Sequence, residues 1–546
     1  MKIIYFIFSL LLVTTGNAQH RRTIPPEKPK LIISIVIEEM RYDFIDRFWN
    51  KFGEGGFKRL VGEGTFFKNT QINYMFTQSS PGYASFYTGA TPSVHGIVAD
   101  QWYKAISNTI VKSAQDKRVK TIGSNTDYGK FSPKNLVTTT FSDEQKLIDP
   151  KAKIISIALD PTAAVLSGGH MSDAAYWLDE KTGKWISSSY YVDSLPQWLK
   201  DFNNKNYQNT YLDKTWAPLY SLSRYTESRN DTTNYEYGFG NDKFVFPYDI
   251  AAYSRIKEDY PDYTYFNKTP FGNNYTESFA IASIVGEKLG KDAHTDFLNI
   301  AFTATKSISN RFGPLSVEVE DTYLRLDKEL AHFLEFLDAE IGKHNILVIL
   351  SANHGVSYAT QYLANRKIPS GNFKSQYAIA LLKSYLNATY GKGDWVKMYY
   401  NQQIYLNKSL IEDSKLNIAE VQQKVADFMV QFEGVANAIS SSVLMKTEFR
   451  REIYAKMQNS YNQKRSGDVM LNLNPGWLQD VSLTASSNSP YVYDTHVPLI
   501  WYGWRIKHQE KTEDINITDI APTIAFLLNI SKPNGSTGNP LKGLIK

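Results

Sequence analysis

The most constraining feature of this chain is a set of short, continuous apolar runs rich in β-branched residues, led by LIISIVI at Leu31–Ile37 and stopped by Glu38 and Glu39. A run of that length with no polar alternation is a strand buried on both faces. Similar runs recur at Ile154–Leu159, Leu298–Thr303, Ile346–Ser351 and Pro498–Tyr502, and between them Asp321–Asp338 carries apolar residues at helical spacing. Buried strands alternating with helices predict an α/β fold, a mostly parallel sheet covered by helices on both faces. Such a sheet places its chemistry at the carboxyl ends of the strands. Those ends read Glu38, Asp160, Ala304 to Lys306, and Asn353 with His354.

Composition agrees with a large core: 42% of the 546 residues are hydrophobic, which excludes a disordered chain. The net charge of +5 comes from 60 basic and 55 acidic residues spread evenly, so no basic stripe points to nucleic acid. There is no cysteine, which excludes disulfides, thiolate metal sites and cysteine nucleophiles. Residues 1–19 join Lys2, the apolar run Ile3–Val13 and small residues before Gln19, the pattern of a secretory signal peptide cleaved after Ala18. The alternative, a membrane anchor, needs about 20 apolar residues, more than this run offers. The expectation is export to the periplasm, or to the outer membrane and cell surface, with no transmembrane span. The folded domain is expected over residues 28–546. Two stretches interrupt the alternation, about 176–274, dense in aromatic and amide residues, and about 358–477, which mixes helical patterns with polar loops. Both read as insertions, either a cap over the site or satellite cores.

The strand ends raise a resemblance. Glu38 with MRYD at Met40–Asp43, SSPGYASFYTGATPSVHGI at Ser79–Ile97, FGP at Phe312–Pro314, NHG at Asn353–Gly355 and YDTHVP at Tyr493–Pro498 together resemble the alkaline phosphatase superfamily, specifically its secreted, phosphate-irrepressible bacterial type. The resemblance implies two zinc ions that activate a Ser or Thr nucleophile and hold the phosphoryl oxygens. It also implies where each group stands, and here most positions are changed. Ser79 takes the nucleophile position, and Tyr83 replaces the histidine that follows Pro-Gly. At one zinc, Glu38 replaces an Asp, Asn353 replaces an Asp and His354 is kept; at the other, Lys306 replaces an Asp, Asn310 replaces a His and His496 is kept. The positions that contact the phosphoryl group carry Asp100 for an Asn, Asp160 for a Lys and Thr162 for an Arg.

An ammonium at a zinc-ligand position repels the metal, and two carboxylates at phosphate-contact positions turn attraction for phosphate into repulsion. The expectation is a catalytically inactive pseudoenzyme, with no cofactor, or zinc if any metal is bound, retained as a binding or assembly subunit with a protein partner in the cell envelope. The alternative is a phosphate or sulfate ester hydrolase working with one metal at Glu38, Ser79 and His354. A third reading makes the old pocket a site for a non-phosphate ligand. Structural roles are also open: His354 and His496 as satisfied core histidines, Glu38 with Lys306 as a buried ion pair, and Ser79 as a helix N-cap ahead of Pro81.

Overall fold

The computed structural model describes residues 27–233, 235–239, 244–255, 261–479 and 484–545. The signal-peptide reading of residues 1–19 lies outside them. Leu31–Ile37 forms the centre of an eleven-stranded sheet, with every residue buried. On one side it pairs in parallel with Asp296–Phe302, followed by Ile154–Ala158 and then Ala174–Leu178, also parallel. On the other side it pairs in parallel with Ile346–Ser351. Apart from Ala174–Leu178, which no run marks and which overlaps the start of the expected insertion at about 176, these are the strands that the apolar runs mark, and burial on both faces keeps them largely apolar.

The last apolar run behaves differently. It lies in the strand His496–Gly503, which runs antiparallel to Ile346–Ser351 and to Thr65–Gln71. Hydrophobic patterning carries no strand direction, so a buried antiparallel member reads like its parallel neighbours. Reversal has a positional consequence: the start of this strand, with Asp494 just before it, lies at the same sheet end as Glu38 and Asn353.

The helix expected at Asp321–Asp338 is the inner part of Val317–Glu340, capped by the Ser316 side chain. The two interrupting stretches differ in packing. Tyr176 and Trp177 are residues of the main sheet, and Trp185, Trp216, Tyr248 and Phe266 are continuous with its core. Residues 358–477, by contrast, supply all of a four-stranded sheet of their own, Val396–Tyr400, Gln403–Leu406, Val469–Leu473 and Val435–Ser440. That sheet covers a separate apolar core around Leu382, Trp395, Val425 and Val469. Among the described residues, no helix is long and apolar enough to cross a membrane.

Candidate functional site

Register brings the strand ends together. Ile37 sits opposite Phe302, and Val36 opposite Ser351, so Glu38, Thr303 to Lys306 and Asn353 emerge side by side. Glu38, 4% exposed, is the hub of a polar network. Ser79 Oγ donates to Glu38 Oε1. Lys306 Nζ donates to Ser79 Oγ at 2.5 Å and stands 3.6 Å from the same carboxylate oxygen. Asn353 Nδ2 adds a donor to that oxygen at 3.3 Å, while its Oδ1 accepts from the backbone N–H groups of Glu39 at 3.2 Å and His354 at 2.9 Å. A carboxylate, a hydroxyl, an ammonium and an amide thus close one network.

Burial raises the Glu38 pKa, and the Lys306 ammonium and Ser79 hydroxyl offset this only in part. Burial alone would lower the Lys306 pKa, but Glu38, Asp100, Glu39 and Asp160 together raise it, so the ammonium keeps its proton. Lys306 is therefore a fixed cation, not a base.

Two of the residues that the resemblance assigns to phosphate contact have structural work, Asp100 and Asp160. Asp100 Oδ1 accepts from both the backbone N–H and the Oγ of Ser80, each at 2.7 Å, at the start of the Ser79–Thr88 helix. Asp160 is the N-cap of Pro161–Gly168, accepting from Ala163 N at 2.9 Å. Helix N-termini present free N–H groups and a partial positive charge that suit an anion. Here carboxylates of the chain itself satisfy both. The reading of Ser79 as an N-cap fails for the same reason: the helix starts at Ser79, no side chain caps it at Gln78, and the Ser79 hydroxyl is committed to Glu38 and Lys306. Thr162 follows Pro161 into a cavity of about 340 Å³ that Glu38, Ser79, Asp100 and Lys306 also line.

The two histidines part company. His354 is fully buried, and its Nδ1 donates to the Gly355 carbonyl at 2.8 Å, which leaves Nε2 as a bare lone pair with no partner. Burial and the nearby Lys306 push its pKa down to about 3, so it is neutral. His496 instead donates from Nε2 to the Lys68 carbonyl at 2.7 Å and stacks on Tyr42 with ring centroids 4.2 Å apart. Its ring is held against the wall of the sheet.

This donor set does not fit a pair of zinc ions. Of the three positions that the resemblance assigns to one zinc, Lys306 carries an ammonium, His496 has its Nε2 bonded to the Lys68 carbonyl, and Asn310 is a neutral amide. At the other, one Glu38 oxygen is already engaged by Ser79, Asn353 and Lys306.

Two acidic residues outside the family positions also face the cleft, and sequence reasoning missed both. Glu39 is 0% exposed, has φ +58°, and neither carboxylate oxygen makes a well-formed hydrogen bond. Burial raises its pKa well above the usual range, with Lys306 and Asn310 offsetting part of this. Asp494 is 1% exposed; its Oδ2 accepts from Ser489 Oγ at 2.6 Å, while Oδ1 has no partner. Burial pushes its pKa up to about 8. The signals that could have found them are a second glutamate beside Glu38 and the Asp of YDTH.

A mostly parallel sheet with a buried serine and acidic groups at its carboxyl end is a phosphoesterase-type fold, that of the alkaline phosphatase superfamily. Residues 32–484 match the family described as type I phosphodiesterase / nucleotide pyrophosphatase, and the chain belongs to that family. The alkaline phosphatase PhoV of Synechococcus elongatus is 35% identical, the match covering 100% of this chain and 100% of the relative. The alkaline phosphatase PafA of Elizabethkingia meningoseptica is 35% identical over 98% of each chain. A crystal structure of PafA superposes with a TM-score of 0.90, covering 95% of this chain and 99% of that one.

Proposed function

We propose that this chain is an exported member of the alkaline phosphatase superfamily that has given up metal-dependent phosphoryl transfer and serves as a binding or assembly subunit in the cell envelope. One observation carries the reading: the Lys306 ammonium sits 3.6 Å from Glu38 and hydrogen-bonds the Ser79 hydroxyl, where the family resemblance implies a zinc ligand. A fixed cation there satisfies the carboxylate and repels a second cation. The carboxylates of Asp100 and Asp160 act in the same direction, since they occupy helix N-termini that would otherwise receive a phosphoryl group. Metal activation and oxyanion clamps each supply several kcal/mol of barrier lowering, so their joint loss removes nearly all hydrolysis.

The test is elemental analysis of purified, zinc-loaded protein alongside a chromogenic phosphate ester from neutral to alkaline pH. We expect less than one zinc per chain and no turnover; two tightly held zinc ions with turnover would sink the reading. Affinity purification from the native envelope tests the assembly role through a stoichiometric partner. The bare Nε2 of His354 favours a second reading, a single-metal phosphate or sulfate ester hydrolase using Glu38, Ser79 and His354. One bound cation together with ester hydrolysis would select it.

A further inference from the structure

Beyond the Glu38 network, the cleft opens into a cavity of about 360 Å³ between the strand ends and the four-stranded sheet, in the lower part of the range of about 300–1,000 Å³ usual for small-molecule sites. What a ligand meets there is set by the atoms it can reach. The carboxyl groups of Glu39 and Asp494 shape the wall but are buried, and burial disfavours their charged forms. That leaves one half-buried carboxylate, Asp100, and one ammonium, Lys306, which is committed to Ser79 and Glu38. The rest of the reachable lining is amide, hydroxyl and aromatic.

Four of its amides are each held at one end by the chain and left free at the other. Gln101 Oε1 accepts from the Tyr400 hydroxyl at 3.1 Å, and Gln479 Oε1 from the Tyr399 hydroxyl at 2.8 Å, which orients both side chains and leaves each Nε2 unbonded. Asn488 Oδ1 accepts from Gln78 Nε2 at 3.0 Å, leaving Nδ2, and Asn401 Nδ2 donates to the Gln101 carbonyl at 2.6 Å, leaving Oδ1 as an acceptor. All four residues are half-buried, and among the described residues none of these free ends has a partner or is shut away from solvent. Gln402 Nε2 donates to the Asn488 carbonyl at 3.2 Å and so ties the hairpin tip at Asn401 to the loop that carries Asn488. The amides are thus oriented before any ligand arrives. Trp477 joins them: it stands two residues before Gln479 in the strand Trp477–Gln479, so the two side chains share a face. Its ring is seated against glycines, since a Cβ at Gly434 would collide with it and one at Gly371 would lie 2.8 Å away, and its Nε1–H has no partner among the described residues.

We infer that this cavity binds a neutral saccharide, a mono- or disaccharide whose hydroxyls bridge the free amide ends of Gln101, Asn401, Gln479 and Asn488 with its ring beside Trp477. A hydroxyl both donates and accepts, so neighbouring hydroxyls of one sugar can meet three amide N–H groups and one amide oxygen together. An anion would face Asp100 with the one nearby ammonium already engaged, and a cation would face Lys306. An apolar ligand would bury the free amide ends unpaired, with nothing to offset their lost hydration. A peptide carries its donors and acceptors on separate, widely spaced groups, which suits converging amide ends less well than neighbouring hydroxyls do.

The inference deepens the binding-subunit reading and rests on it, so zinc content and phosphate-ester turnover are measured on the same sample. Saturation-transfer NMR on the purified full chain is run with glucose, galactose, mannose, N-acetylglucosamine, maltose and cellobiose, and with glucuronate, glucosamine and a blocked trialanine peptide as charged and peptide probes. We expect saturable binding of at least one neutral sugar, tighter than that of any charged or peptide probe. Gln479→Glu keeps an acceptor for the Tyr399 hydroxyl but removes the free N–H group, and should weaken binding about threefold or more, the scale of one lost hydrogen bond. Gln101→Glu, which keeps the bond from Tyr400 in the same way, should do likewise from another segment, with the unfolding midpoints of both variants close to the parent's. Absence of binding by every neutral sugar, preference for a charged or peptide probe, or unchanged affinity in both variants overturns the inference. Two bound zinc ions with ester turnover would overturn the binding-subunit reading instead, whatever the sugars do.

Discussion

The cleft has two halves that meet at Lys306, and they treat buried polar atoms in opposite ways. Around Glu38, the hydroxyl of Ser79, the ammonium of Lys306 and the amide of Asn353 all converge on one carboxylate oxygen. Around Glu39, the next residue along the chain, the acceptors stand bare. Both halves carry acidic residues at the carboxyl ends of buried strands, where a divalent cation would ordinarily balance them. In the first half the chain supplies its own cation; in the second it does not. A carboxylate at such a strand end can thus become either a structural hub or an open acceptor, and the position of one lysine decides which.

Breaking the filled half should have the largest effect. Lys306→Ala leaves Glu38 buried and unpaired, and we expect a loss of about 2–3 kcal/mol by denaturant unfolding, below the usual figure for fully buried pairs because the lysine side chain is 30% exposed. Asn353→Ala removes one donor to Glu38 and two backbone contacts; a loss of about 2 kcal/mol is expected in the same measurement.

Acidification should act next, through the support of the Ser79 helix. His95 bonds Ser85 Oγ at 3.0 Å and accepts from Ile97 N at 3.1 Å; burial and Arg465 push its pKa down to about 3. The unfolded chain gains this proton near pH 6.5 and the folded chain does not. Stability from this group is therefore complete above that pH and falls as pH drops towards 3, by about 1 kcal/mol between pH 7 and 5.5. His95→Gln should flatten that slope relative to the parent. The smallest effect belongs to the open half. Glu39→Gln replaces a buried carboxyl that has no well-formed partner and whose charged form burial disfavours, so stability should stay within about 0.5 kcal/mol of the parent or rise. A loss as large as that of Lys306→Ala would erase the contrast between the halves.

Much of this contrast is legible in the sequence. Strand cores such as Leu31–Ile37 and Ile346–Ser351 announce themselves because burial on both faces leaves no room for polar residues. The Glu38–Lys306 pair follows from a lysine at an acidic ligand position, and it is present at 3.6 Å. Glu39 escapes such reasoning because successive residues of a strand point to opposite faces, so a neighbour of Glu38 should point away. Its left-handed backbone breaks that alternation just past the strand end, and both glutamates line the cleft. The role of Asp100 is hidden for a different reason: capping a helix from outside is a long-range contact, and local spacing favours Ser79 itself as the cap. The antiparallel course of His496–Gly503 leaves no trace in its composition, yet it decides where Asp494 stands. The aromatic residues within 176–274 give density without address; most extend the main core, whereas 358–477 builds its own.

The central claim is that the Lys306 ammonium stands where a metal charge would stand and is energetically coupled to Glu38. A double-mutant cycle measures this directly, by unfolding the parent, Lys306→Ala, Glu38→Gln and the combination under one set of conditions. We expect the second substitution to recover part of the Lys306→Ala loss, with a coupling of about 1 kcal/mol or more, because neutralising the carboxylate relieves the charge that the lysine had balanced. Losses that add within about 0.5 kcal/mol would contradict it and leave Lys306 an ordinary lysine at the edge of the cleft.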